Sequence, residues 1–206
     1  MPRRRRDLSD ALSRRYVALE GTRGKVERLI VRRRLAAGAA EHMYEGLFLS
    51  AVTSFESFLE DLFLHCLTAG GSSGAQRRVT VSTPAAARDL VLSGRRYVDW
   101  LPYKLTRDRA DLFFVAARPF SRMDGPGRRQ LLDVLDRAVV LRNAVAHKSH
   151  HAIARFEKEV LHGTPMTPRE RKPAGFLRSV AFGSPPVTRF QVYTTTMLTI
   201  ARLLVR

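Results

Sequence analysis

The chain has 206 residues, 45% of them hydrophobic, enough to bury the core of one domain with room for a small appendage. A formal net charge of +17 and a pI near 11.3 favour polyanionic partners, nucleic acid first and an anionic membrane surface second. A single cysteine, Cys66, excludes an intramolecular disulfide and fits a reducing cytoplasm, and no apolar run is long enough for a transmembrane helix.

In chain order, Pro2-Arg3-Arg4-Arg5-Arg6 is basic but has no apolar stretch after it, so it does not read as a secretory signal. Residues 1–7 are expected as a disordered basic tail. Leu8 to about Ala37 reads as one helix, or as two broken near Gly21 and Gly24, with Leu12, Tyr16, Leu19, Val26, Leu29 and Ile30 at helical spacing. Glu41 to Thr68 predicts a strong, largely buried helix. Its stripe is Met43, Leu47, Phe48, Ala51, Val52, Phe55, Phe58, Leu59, Leu62 and Phe63, widened by Leu49 and Leu64. Gly70-Gly71-Ser72-Ser73-Gly74 predicts a flexible break.

Thr83-Pro84 predicts an N-cap and first helical position, opening a short helix to about Leu92. A small apolar patch at Tyr97 to Leu101 stops at Pro102, and Arg107 to Ala117 is a further helix candidate. After the turn Asp124-Gly125-Pro126-Gly127 comes the second strong helix, with Leu131, Leu132, Val134, Leu135, Ala138, Val139, Leu141, Val145 and Ala146 on its apolar face. A continuation or second helix follows from about Ala152 to Leu161. Residues 163–175 form a basic, proline-rich loop, and Ser184-Pro185-Pro186 opens a final helix to about Leu204. Arg78 to Ser82 and Val180 to Phe182 are the only β candidates, so the fold class is all-α with at most a minor hairpin.

Only five of the 36 basic residues are Lys. Arg holds phosphate better than Lys because its planar fork engages two oxygens at once, although Arg with abundant Ala also arises from genomic base composition. The runs Arg14-Arg15, Arg32 to Arg34, Arg95-Arg96 and Arg128-Arg129 read as solvated faces, with Arg32 to Arg34 able to extend a nucleic-acid surface. Arg169, Arg171 and Lys172 suit a substrate or partner contact. Tyr97 and Trp100 beside Arg95-Arg96 either stack bases or pack in a core or interface.

The chemistry concentrates at Arg142-Asn143-Ala144-Val145-Ala146-His147, at the end of the second strong helix. Asn143 and His147 are four apart and share a helix face, and Arg142 lies about 100° round the axis. A guanidinium, an amide and an imidazole at one helix end suit cleavage of an RNA phosphodiester. The imidazole moves the proton of the 2′-OH or of the leaving 5′-oxygen, and the guanidinium stabilises charge on the phosphoryl oxygens. Arg and His are also favoured at helix C-termini for the dipole alone, so spacing by itself does not separate the two readings.

The string Arg142-Asn143-x-x-x-His147 resembles the signature of the HEPN superfamily, and Ser50 to Glu60 upstream resembles the long second helix of several HEPN branches. The resemblance covers about Glu41 to Leu161. It implies a compact helical bundle with long antiparallel core helices and short extra helices, working as a homodimer whose two motif helices build one RNA cleft. It implies a metal-independent endoribonuclease, without cofactor, acting as a toxin or anti-phage effector and leaving a 2′,3′-cyclic phosphate and a 5′-OH. An antitoxin or defence-system partner is implied too. By this resemblance Arg142, Asn143 and His147 are catalytic, and Glu56 faces the motif helix, with Glu60 and Asp61 as substitutes. Lys148, His150 and His151 would line the RNA path. In one HEPN subset a Tyr two residues after the His is AMPylated by the paired antitoxin. Here Ser149 stands at that place, so that route is not expected.

His147, His150, His151 and His162 lack a Glu-x-x-His partner, so solvated histidines are expected rather than a metal site. The second function class is a non-catalytic helical RNA-binding or adaptor module that dimerises. A membrane-surface protein is the third.

Overall fold

The computed structural model describes residues 5–68 and 76–206. It is all-α. The helices are α1 (Arg5–Val31), α2 (Ala37–Leu67), α3 (Pro84–Leu92), α4 (Tyr103–Phe113), α5 (Arg129–His147), α6 (His150–Phe156), α7 (Pro173–Arg178) and α8 (Arg189–Val205). The one sheet among the described residues is an antiparallel hairpin of β1 (Val180–Phe182) and β2 (Val187–Thr188). No helix among them is long and apolar enough to cross a membrane.

Several local outcomes follow from specific residues. α1 runs unbroken through Gly21 and Gly24, and it begins at Arg5, inside the stretch expected as a tail. The expected Gly70 to Gly74 break lies outside the described residues, as do Arg3 and Arg4. Thr83 caps α3, its hydroxyl accepting from the Ala86 amide at 3.2 Å, with Pro84 at the first helical position. α4 starts four residues earlier than the Arg107 candidate, directly after Pro102, and short 3-10 turns occupy Val115–Ala117 and Phe120–Asp124.

The Arg78 to Ser82 β candidate forms no strand. Single bridges join Thr68 to Val81 and Arg77 to Phe114. At the other end, Ser184 to Pro186 turns the β1–β2 hairpin instead of opening the last helix, which begins at Arg189. The basic loop after Gly163 ends earlier than expected, at Pro173, where proline at the first turn starts α7.

Contacts cluster into two compact units. One comprises Met1–Leu12, Phe55–Asp136 and Leu198–Arg206, the other Ser13–Ser54 and Arg137–Met197. α1, α2, α5 and α8 each contribute one stretch to each unit. In the first unit Phe63 is fully buried among Trp100, Phe113, Phe114 and Phe120, with ring centroids 5.1–5.7 Å away. Offset and edge-on aromatic packing of this kind adds roughly 0.5–1.5 kcal/mol per pair beyond area burial. The Tyr103 hydroxyl reaches the Phe120 carbonyl at 2.8 Å, which satisfies the one polar atom on a buried ring.

In the second unit Tyr16 donates from its buried hydroxyl to the Ala51 carbonyl at 3.0 Å, joining α1 to α2. Phe190 and Tyr193 of α8 pack edge-on against Tyr44 and Phe48 of α2 at 6.1 and 5.5 Å. The α2 stripe is buried as the spacing predicts, except that Met43 is exposed, Leu49 is half-buried and Tyr44 takes the inward place. The Tyr44 hydroxyl, pushed up to about 12 mainly by burial, donates to Glu27 at 2.8 Å, and Glu27 also takes two hydrogen bonds from Arg178.

Candidate functional site

The second unit holds the end of α5 and with it Arg142, Asn143 and His147. Val140, Leu141, Ala144 and Val145 are buried and fix this last stretch of helix. The inward face is rotated slightly from the predicted one: Val140 and Ala144 are inside, and Ala146 is exposed. The rotation leaves Arg142 and Asn143 half-buried and His147 exposed.

Arg142 donates from Nη1 to Asn143 Oδ1 at 3.1 Å. The amide oxygen therefore faces the guanidinium, and the Asn143 NH2 group has no hydrogen-bond partner among the described residues. A cationic N–H donor at Arg142 and a neutral one at Asn143 thus lie five and four residues before an exposed imidazole. The His147 ring makes no hydrogen bond among the described residues.

The helix stops at His147 for a definite reason. Lys148 adopts the left-handed conformation at φ 49°, and its amide still bonds the Ala144 carbonyl at 3.2 Å. Ser149 then caps α6, its hydroxyl accepting from the Ala152 amide at 3.2 Å. α6 thus starts at His150, earlier than the Ala152 expected. His150 and His151 sit exposed in its first turn. His147 and His151, four apart in sequence, therefore share no helix face, because the helix breaks between them. Among the described residues no three His, Cys, Asp or Glu side chains are grouped to hold a metal ion. His162 is remote in sequence from this turn and ends the π-helical stretch Glu157–Leu161 in a left-handed conformation.

Lys148 does not stand free for a ligand. Its Nζ lies 2.8 Å from Glu45 Oε2, which ties the end of α5 to α2 within the same unit. The sequence reading missed Glu45. A charge 103 positions away carries no local pattern. It also missed the Ser149 cap, for which a signal was present: Ser followed by helix-compatible residues is a start signature.

Glu56 lies on the α2 stretch of the first unit and is half-buried. Of its suggested substitutes, Glu60 pairs with Arg88 at 3.2 Å in that unit, and Asp61 is exposed. By chain position Arg142, Asn143, His147 and Lys148 belong to the second unit and Glu56 to the first.

A cavity of roughly 530 Å³ also opens in the second unit, lined by Arg23, Glu27, Arg169, Arg178 and Thr188 among others, but by none of the motif residues. Its cations are neutralised in place: Arg23 by Glu20 at 2.6 Å, Arg178 by Glu27 at 2.8 Å and Arg169 by Glu41 at 2.8 Å. The hydrogen bonds from Arg178 hold the Glu27 carboxyl below its ordinary value. The Arg178–Glu27 pair joins α7 to α1, and the Arg169–Glu41 pair joins the loop before α7 to α2, so Arg169, singled out for substrate contact, is engaged.

No protein-family model, no curated protein and no solved structure matches the chain. The HEPN resemblance accordingly rests on the motif residues and the helix before them.

Proposed function

We propose that this protein is an endoribonuclease of HEPN type that cuts RNA by attack of the 2′-OH on the adjacent phosphorus. The observation that carries the reading is the grouping at the end of α5. There an exposed imidazole at His147 follows, by one turn, the hydrogen-bonded Arg142–Asn143 pair. Arg142 and the Asn143 NH2 group stabilise the phosphoryl oxygens as negative charge grows on them. His147 accepts the 2′-OH proton as the new P–O2′ bond forms, and the P–O5′ bond breaks as its oxygen gains a proton. The products are a 2′,3′-cyclic phosphate and a 5′-OH. A homodimer would bring two copies of His147 to one cleft, so that one acts as base and the other as acid. The biological role that fits is a toxin or defence effector restrained by a partner protein.

The test is incubation of the purified protein with RNA in EDTA. Cleavage that survives chelation, leaves cyclic phosphate ends and falls by roughly 10²-fold or more in His147→Ala supports the reading. No cleavage under any condition, or equal cleavage by the variant, refutes it.

One observation favours a non-catalytic RNA-binding module instead. No second group among the described residues hydrogen-bonds the His147 ring, and a general base is ordinarily held in one tautomer by such a partner. That reading predicts salt-dependent RNA binding without turnover, unchanged by His147→Ala.

A further inference from the structure

Between α3 and α4 the chain has no regular secondary structure, and it divides two aromatic residues by exposure. α3 ends with Ser93 and Gly94 both at positive φ, which turns the chain out of the helix. Further on, Trp100 is only 4% exposed. Its ring lies 5.2 Å from that of Phe63, and its carbonyl accepts from the Thr106 hydroxyl at 2.5 Å. Trp100 is thus a core anchor. Tyr97, three residues earlier on the segment it anchors, is 74% exposed.

Two cavities in this unit share Arg96, Tyr97 and Val98 in their walls. One, of roughly 340 Å³, continues along α3 past Arg88, and the other, of roughly 420 Å³, is completed by Arg95, Asp99, Leu105 and Arg109. Both volumes fall in the range that small-ligand sites occupy.

The charges at this place are not balanced. Arg88 is paired with Glu60, but Arg95, Arg96 and Arg109 have no ion-pair partner among the described residues. Arg109 lies over the Trp100 ring at 4.7 Å and donates to the Asp99 carbonyl at 3.1 Å, so its position is fixed. Burial first, and then the neighbouring Arg95, push its pKa down, with Asp99 opposing. An anion placed between these guanidiniums would relieve that repulsion.

We propose that Tyr97 with Arg95, Arg96 and Arg109 forms a subsite for one nucleotide of a single-stranded nucleic acid, the base stacked on the exposed ring and its phosphate held by the guanidiniums. An aromatic face next to unpaired cations is the pairing that single strands use, because every unpaired base offers a π-face with a phosphate alongside. A duplex hides its base faces in the stack. An acidic peptide would use the arginines and leave the ring without a role. The inference does not rest on the ribonuclease reading, since binding here needs no cleavage.

The experiment measures fluorescence anisotropy of the full chain with a short labelled 2′-O-methyl RNA, whose blocked 2′-oxygen keeps binding separate from turnover. An abasic strand of equal length, a duplex, the matching DNA strand and polyglutamate complete the set. Tyr97→Ala should weaken single-strand binding by roughly 5-fold or more, for RNA and DNA alike, while Tyr97→Phe keeps it. Tyr97→Leu, which preserves apolar bulk without a π-face, should behave as Ala. None of these changes should alter binding of the abasic strand. Arg96→Ala should lower the slope of log affinity against log salt by about 0.7. Fluorescence of Trp100, the only tryptophan, should change on saturation, because Arg109 covers its ring. Equal affinity of Tyr97→Ala and wild type for the single strand overturns the proposal. So does an equal loss on abasic or duplex probes, or displacement of the strand by polyglutamate with Tyr97→Ala indifferent. Melting curves of the exposed-site variants guard against unfolding, and the Phe variant carries the comparison if Ala does not fold.

Discussion

Lys148 offers a direct test of the break that ends α5. Its φ of 49° is a left-handed conformation that costs a residue with a Cβ roughly 1–2 kcal/mol and costs glycine no steric penalty. Glycine gives back roughly 0.5–1 kcal/mol through the greater freedom of its unfolded chain, so the net relief is about 1 kcal/mol or slightly less. The Lys148–Glu45 bridge, with the lysine side chain 56% exposed, contributes roughly 0.2–1 kcal/mol. Lys148→Ala therefore keeps the strain and loses the bridge, while Lys148→Gly loses the bridge and sheds the strain. The Gly variant should be more stable than the Ala variant by about 1 kcal/mol, and close to wild type. For a chain of this length that is a melting-temperature gap of roughly 2–4 °C. Urea and thermal denaturation followed by circular dichroism measure it, with Glu45→Gln as the second leg of a cycle in which its cost disappears in the Lys148→Ala background. If Ala proves as stable as Gly, the left-handed break does not exist. α5 would then run on into α6, and His147 and His151 would share a face after all.

Gly175→Ala should sharply destabilise the second unit. A Cβ there would meet the Arg169 carbonyl oxygen at 2.0 Å, and this is backbone that cannot rotate away, so at least the roughly 1–3 kcal/mol of ordinary overpacking is expected in denaturation. Glu27 should give the chain part of its acid sensitivity. Its carboxyl is held low in the folded state by Arg178, so its stabilisation is complete above the ordinary carboxylate value of about 4.3 and is lost as pH falls through the folded value. Denaturation midpoints of wild type and Glu27→Gln should differ most near neutral pH and converge in acid; a gap independent of pH would refute this. Burial raises the Cys66 thiol to about 11, so alkylation of the native protein near pH 8 should be far slower than that of the urea-unfolded chain, as intact mass would show.

The sequence by itself determined the fold class and the position of the main helices, because a three-and-four repeat of Leu, Phe, Val and Ala leaves an amphipathic chain few other ways to bury its apolar side. It determined the Thr83 cap and the hairpin strand at Val180 to Phe182, which are local in their chemistry. It also presented Asn143 and His147 as a pair, since residues four apart on a helix share a face whatever surrounds them, with Arg142 about 100° round the axis.

Tertiary structure decided the rest. Glycine's propensity at Gly21 and Gly24 did not break α1, because Tyr16 and Val26 on either side are held in the core. Two aromatic residues of similar promise, Tyr97 and Trp100, went to opposite environments according to what each could pack against. Lys148 was drawn to Glu45, a partner that no sequence spacing reveals. The turn at Lys148 and Ser149, which sets His147 at an exposed helix end and starts a new helix at His150, depends on a left-handed residue that is not glycine. Such a conformation persists only where the surrounding packing and the cap hold it.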